Sequence, residues 1–150
     1  MTTIIIPEDD DSYFPDAEDA LNIIVDNLLA DFTPPGYAHT PGGQPQDYDA
    51  LVASGVAMVE IARAGGESDG VWDFPRMNVT VTTTSRDLSW KVMAYLRRKL
   101  HHINSIGVPL SDGSTAIVNN IKDSQGPQQP PTGTFATDVT LGFTMQNRLS

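Results

Sequence analysis

RAGGESDGVWDFPRMNVTVTTTSRDLSWKVMAYLRRKL, residues 63–100, decides the fold. Gly65-Gly66 closes a preceding strand, and Glu67 to Pro75 reads as a polar loop. Arg76 to Thr84 then alternates strictly: Met77, Val79, Val81 and Thr83 share one face, and Asn78, Thr80, Thr82 and Thr84 the other. That is the pattern of an antiparallel strand with one dry and one wet face. Ser85 is an N-cap, Asp87 lies in the first helical turn, and an amphipathic helix runs to about Ile103. Its apolar stripe is Leu88, Val92, Tyr95, Leu96, Leu100 and Ile103, and Arg97, Arg98, Lys99, His101 and His102 crowd its C-terminal end. Cations there suit the helix dipole, and about 18 residues at ~1.5 Å each cross a sheet once.

Upstream, Leu51 to Ala62 reads as a strand, although Gly55 interrupts it and Val56, Met58 and Ile61 keep no single phase. Before it lies a Pro-, Gly- and Gln-rich loop over residues 33–50, with a short extended piece at Ala38-His39-Thr40. A first helix starts at Asp16 and repeats Ala17, Leu21, Ile24, Leu28 and Phe32 at helical spacing until Thr33-Pro34-Pro35-Gly36 stops it. Downstream, Ser114 to Ile121 reads as a strand, with Ala116 and Val118 opposite Ile117. Asp123 to Gly133 reads as a long proline-rich loop. The last strand, from Phe135, alternates through Thr137, Val139, Leu141, Phe143 and Met145.

The order is therefore α-β-β-α-β-β. It predicts an α+β fold, a mainly antiparallel sheet with two helices packed on one face. Residues 1–15 read as an acidic N-terminal extension with a short apolar tab, Ile4 to Ile6, and residues 16–150 as a single domain. A chain of 150 residues buries a sizeable core without staples. No apolar run approaches the ~20 residues of a membrane span, and no signal segment is evident, so the expectation is a cytoplasmic protein with no membrane contact.

The net charge of −10 is unevenly spread. Residues 1–62 hold twelve acids and no Lys or Arg, whereas residues 63–150 hold nine basic residues and seven acids. The first segment is thus −12 and the second +2. Copies of such a chain can meet acidic side to basic side, the head-to-tail arrangement that closes rings.

Chemistry is poorly provided for. The absence of cysteine removes disulfides, thiolate metal sites and cysteine nucleophiles together. No phosphate-binding glycine loop, zinc-protease pair or nucleophile elbow occurs. The adjacent pair His101-His102 points about 100° apart on a helix, so the two cannot face one metal as an i, i+4 pair would. The expectation is no catalytic, cofactor or metal site. Trp72 and Phe74, aromatic in a polar loop, suggest a contact surface. Trp90 lies off the helix stripe and suggests a second buried face. Arg97, Arg98 and Lys99 suit the acidic half of a neighbouring copy.

The stretch resembles tail terminator proteins of long-tailed, siphovirus-type bacteriophages. The pattern is a strand, Gly-Gly, a polar loop, Asp73-Phe74-Pro75-Arg76, an alternating strand, then Thr84-Ser85-Arg86-Asp87 with Trp90 and a helix ending Arg97-Arg98-Lys99-Leu100. The first helix and closing strand fit the same plan. The resemblance implies a small subunit of a ring, hexameric in that family, which caps the finished tail tube, halts its growth and docks the head connector or stopper. Genomic DNA passes through its lumen without specific binding. It implies a virion protein at the head-tail junction, assembled in the host cytoplasm. Trp72, Phe74, Arg76, Trp90, Arg97, Arg98 and Lys99 are then candidate contacts to other copies, the tube or the connector. The rival readings are another head-completion or connector protein, or a small nucleic-acid-binding module built on Arg97-Arg98-Lys99.

Overall fold

Asp16 starts α1 (Ala17–Leu29) as its N-cap. Its carboxylate accepts the backbone N–H of Glu18 at 3.0 Å and of Asp19 at 3.2 Å. The structure, a computed structural model, describes residues 3–5, 15–69, 71–128 and 135–146. Eight further elements follow: β1 (Tyr37–His39), α2 (Tyr48–Ala53), β2 (Met58–Ser68), β3 (Trp72–Thr82), α3 (Arg86–His101), β4 (Ile106–Pro109), β5 (Thr115–Gln128) and β6 (Ala136–Gln146).

The strands form one six-stranded sheet in the order β1-β2-β3-β6-β5-β4. β1 runs parallel to β2, and every other pair is antiparallel. The sheet is therefore mixed, and the element order is richer than α-β-β-α-β-β by β1, α2 and β4. The extra pieces are short and lie where the chain had read as loop or as a longer strand. Leu51 to Ala53 belong to α2, not to a strand, and Gly55 at φ 96° turns the chain before β2 begins. That helical turn is why the apolar phase across Leu51 to Ala62 is broken.

Alternation sets the core. Met77, Val79 and Val81 of β3, Val139, Leu141, Phe143 and Met145 of β6, and Val59 and Ile61 of β2 are buried. They form one cluster with Leu21, Val25 and Leu29 of α1 and Val92, Met93, Leu96 and Leu100 of α3. The stripe of α3 is turned from the expected one: Leu88 is exposed and Ser89 is buried. A buried hydroxyl needs partners. Ser89 Oγ lies 2.8 Å from Thr83 Oγ1 and also donates to the carbonyl of Phe135, tying the helix start to β6. Phe135 itself, in phase with the inward residues, is exposed at the strand's beginning.

Three strands run farther than their sequence suggested, and β3 is one of them, starting at Trp72. Gly65-Gly66 does not end β2. It lies just past a bulge that shifts the β2–β3 register between Arg63 and Gly65, and both glycines stay paired with β3. Likewise β5 does not stop at Ile121 but continues to Gln128, so the first part of the expected loop is strand. Its remainder, residues 129–133, lies outside the described residues, as do residues 1–2 and 6–14 of the acidic extension.

Candidate assembly interface

The bulge and the extension of β2 and β3 beyond it carry the aromatic residues. β2 ends at Ser68 and β3 starts at Trp72, so Trp72 and Phe74 belong to a strand and not to a loop. The Asp69 carboxylate accepts the backbone N–H of Trp72 at 2.7 Å and of Val71 at 3.0 Å. Those two bonds, Trp72's first, hold its carboxyl below the usual carboxylate range.

Beneath the turn sits a charged anchor. Asp73 is only 1% exposed and receives both terminal nitrogens of Arg63 at 2.8 Å, as well as Ser68 Oγ at 3.0 Å. This fork-to-fork pairing is the strong form of the interaction. The hydrogen bond to Asp73 raises the pKa of Arg63 above its ordinary value, against the opposing effect of burial. Arg63 also donates Nε–H to the Gly65 carbonyl at 3.0 Å, and its backbone N–H bonds Glu18 Oε2 at 2.8 Å. One arginine thus fixes the bulge, the hairpin and the start of α1. Gly66 completes the turn of the backbone at φ 116°, where a Cβ would stand 2.3 Å from the Phe74 carbonyl oxygen.

With Asp73, Pro75 and Met77 turned inward, the alternate residues Trp72, Phe74 and Arg76 face out together, Trp72 and Phe74 each 40% exposed. Across the strands Arg76 pairs with Gly142 and Gly142 with Lys122. Two cations therefore flank a residue without a side chain. The result is a cleft of about 380 Å³ lined by Gly66, Glu67, Phe74, Arg76, Asn120, Lys122 and Gly142. Neither Arg76 nor Lys122 makes an ion pair among the described residues. An aromatic edge beside two free cations suits a partner surface that is partly apolar and partly acidic.

The other expected contact residues lie elsewhere. α3 packs against the inward face of β3, β5 and β6, so Trp90 and the basic helix end are remote from the hairpin's outer face. Trp90 is half-buried, and its Nε1 has no hydrogen-bond partner. Arg97 is paired within its own chain. Its guanidinium grips Asp123 of β5, with Nε 3.2 Å from Oδ2 and Nη2 closer still, and His101 Nε2 lies 3.0 Å from Oδ1. Burial opposes the charge on Asp123, but the bonds from Arg97 and His101 outweigh it and hold the carboxyl below its ordinary range. Arg98 and Lys99 are exposed, with Lys99 Nζ 5.6 Å from the centre of the Tyr95 ring.

Sequence reading missed Lys122 and Asp123 because the phase of β5 slips. Ala116 and Val118 are buried, then Ile121, with Asn120 at φ 59° between them. Asparagine tolerates that conformation better than most residues. An asparagine followed by a resumed apolar residue was the available signal.

Among the described residues no group of three or more His, Asp or Glu is placed to hold a metal ion, and no helix is long and apolar enough to cross a membrane. A comparison with curated proteins finds none that matches. The family described as phage tail termination protein, by contrast, matches residues 13–136, which takes in α1, the hairpin with its aromatic outer face, α3 and β5. With most of its length matched in this way, the chain belongs to the phage tail termination protein family.

Proposed function

We propose that the chain assembles as a closed ring, a hexamer, at the end of the tail tube of a siphovirus-type bacteriophage. The ring halts polymerisation of the tube protein and offers its other side to the head connector or stopper. It performs no bond chemistry, and DNA passes its lumen without specific contact. It works at the head-tail junction of the virion after assembly in the host cytoplasm. Residues 1–15 act as an acidic extension of one domain, 16–150.

The observation that carries this reading is the family match over residues 13–136, since a termination protein must stop a growing polymer. The surface is compatible with it. The inward sheet face is consumed by the core, so contacts fall to edges, hairpins and helix ends. Trp72, Phe74 and Arg76, with Lys122, form one contact to the tube, the connector or the next copy. Arg98 and Lys99 offer a second, cationic one to the acidic first segment of a neighbour, with Trp90 at its side. Arg97 is occupied by Asp123 and steadies that surface from within.

Particles assembled without the protein test the reading. The expected result is tails of irregular, excess length that fail to join heads, together with a ring-sized mass for the purified chain in solution. Tails of normal length that are joined to heads would refute it.

A further inference from the structure

We propose that neighbouring copies are linked by arm exchange, the tab at Ile4 and Ile5 of one copy adding as a strand to the free edge of β4 in the next. The proposal deepens the ring reading and rests on it for the presence of a neighbour.

Three separate features meet at β4. First, β4 ends the sheet order and has β5 as its only strand partner among the described residues. Pro109 lacks a backbone N–H, which leaves a short edge at Ile106, Gly107 and Val108 for a short arm. Second, beside that edge an apolar cleft of about 240 Å³ opens toward α1, lined by Ile23, Leu28, Ile103, Ile106 and Val108. Third, Ile4 and Ile5 are 85% and 88% exposed, so in the single chain they occupy nothing.

Alternation matches the two isoleucines to two receptors. In an added strand successive side chains point to opposite faces. With Ile4 directed into the cleft, Ile5 lies on the outer face opposite Gly107. There the missing side chain leaves it a path to Ile117, which pairs with Gly107 and is 43% exposed. A Cβ at Gly107 would stand 3.7 Å from Ile117 Cδ1, so the reach is short. The exposures of the tab and of Ile117 are covered by one arrangement.

Charge chooses the direction. The acidic run Glu8–Asp11 follows the tab in sequence. An antiparallel arm carries it past Ile106 toward the exposed Arg98, Lys99 and His102 at the end of α3. A parallel arm carries it toward Asp16, Glu18, Asp19 and Asp112, which line one acidic hollow beyond Pro109. Repulsion at that end rejects the parallel arm, and attraction at the other favours the antiparallel one.

The chain has no cysteine, so introduced ones report cleanly. The full-length double variant Ile5→Cys/Gly107→Cys is oxidised mildly and run without reductant. Directly opposed strand residues lie at about 4.5–5.5 Å between Cα atoms, within disulfide reach. The expected result is a ladder of covalent oligomers joined at 5–107, with at least a tenfold loss of the ladder when Ile4→Asp is added or when Asp9, Asp10 and Asp11 are changed to Lys. An internally closed monomer would show the arm folding onto its own chain and overturn the exchange. A non-crosslinked ring would overturn it while leaving the ring intact. A chain that stays monomeric at all concentrations would overturn both. Ile5→Cys/Ile117→Cys answers the same question if Gly107→Cys does not fold.

Discussion

Asp73→Asn tests whether the charged anchor under the hairpin has the strength assigned to it. The native carboxylate accepts three hydrogen bonds while almost wholly removed from water. Asparagine keeps the shape but offers one carbonyl oxygen, and its NH2 group turns donors toward the donors of Arg63 or Ser68. Breaking a fully buried ion pair costs roughly 3–5 kcal/mol. Arg63 keeps 34% of its side chain in water and recovers hydration when released, so the expected loss is smaller, about 2–3 kcal/mol. In a chain of 150 residues that lowers Tm by about 5–10 °C.

Urea unfolding followed by tryptophan fluorescence measures the loss, with an unchanged m-value showing that the folded state is otherwise intact. The double replacement Arg63→Met/Asp73→Leu removes both charges, and its cost should be below that of Asp73→Asn, because no buried charge is left alone. If Asp73→Asn loses under about 0.5 kcal/mol, the range of an ordinary surface change, the anchor is not what holds the hairpin.

Gly66→Ala meets both an unfavourable φ and the Phe74 carbonyl, so it should destabilise by about 2 kcal/mol or more in the same assay, whereas Gly126→Ala, in open space, should change little. Asp123 has a folded pKa below its unfolded value of ~3.9. Its contribution is therefore present above that value and lost as pH falls through the lower folded one, and Asp123→Asn should flatten the acid limb of stability against pH. Trp72→Ala/Phe74→Ala should leave the fold within about 0.5 kcal/mol of native yet weaken assembly on tail tubes, as read by sedimentation. Filter binding to duplex DNA should find no retention at low salt, since a nucleic-acid module would bind there most tightly.

The strands that alternate without interruption were legible. Met77 to Val81 and Thr137 to Met145 are buried at the positions their period of two assigns. Asp16 and Ser85 also cap the helices they were expected to cap, because capping is decided by the side chain and the next three residues. What stayed hidden depends on partners distant in sequence. Gly65-Gly66 reads as a stop only until Arg63 is seen to reach across to Asp73 and carry the strand through the bulge. Asn120 hides the rest of β5 by shifting its phase, and with it the partner of Arg97. The same error moved Trp72 and Phe74 into a loop, although exposed aromatics were rightly singled out. Their exposure is set by alternation with Asp73 and Pro75, a strand property.

Where the basic residues fall discriminates among the readings of the surface. Arg63 and Arg97 are each tied to a buried or half-buried aspartate of the same chain and are not free to greet a partner. The cations left over are divided. Among the described residues Arg76 and Lys122 sit on the outer sheet face, while Arg86, Lys91, Arg98 and Lys99 sit on α3, packed on the other side. Two separated groups of cations suit two separate protein contacts. In the proposed ring the first segment of the chain, with twelve acids and no Lys or Arg, supplies the complementary charge for at least one of them. Two different contact patches on one subunit, not one self-complementary patch, are also what a head-to-tail ring requires.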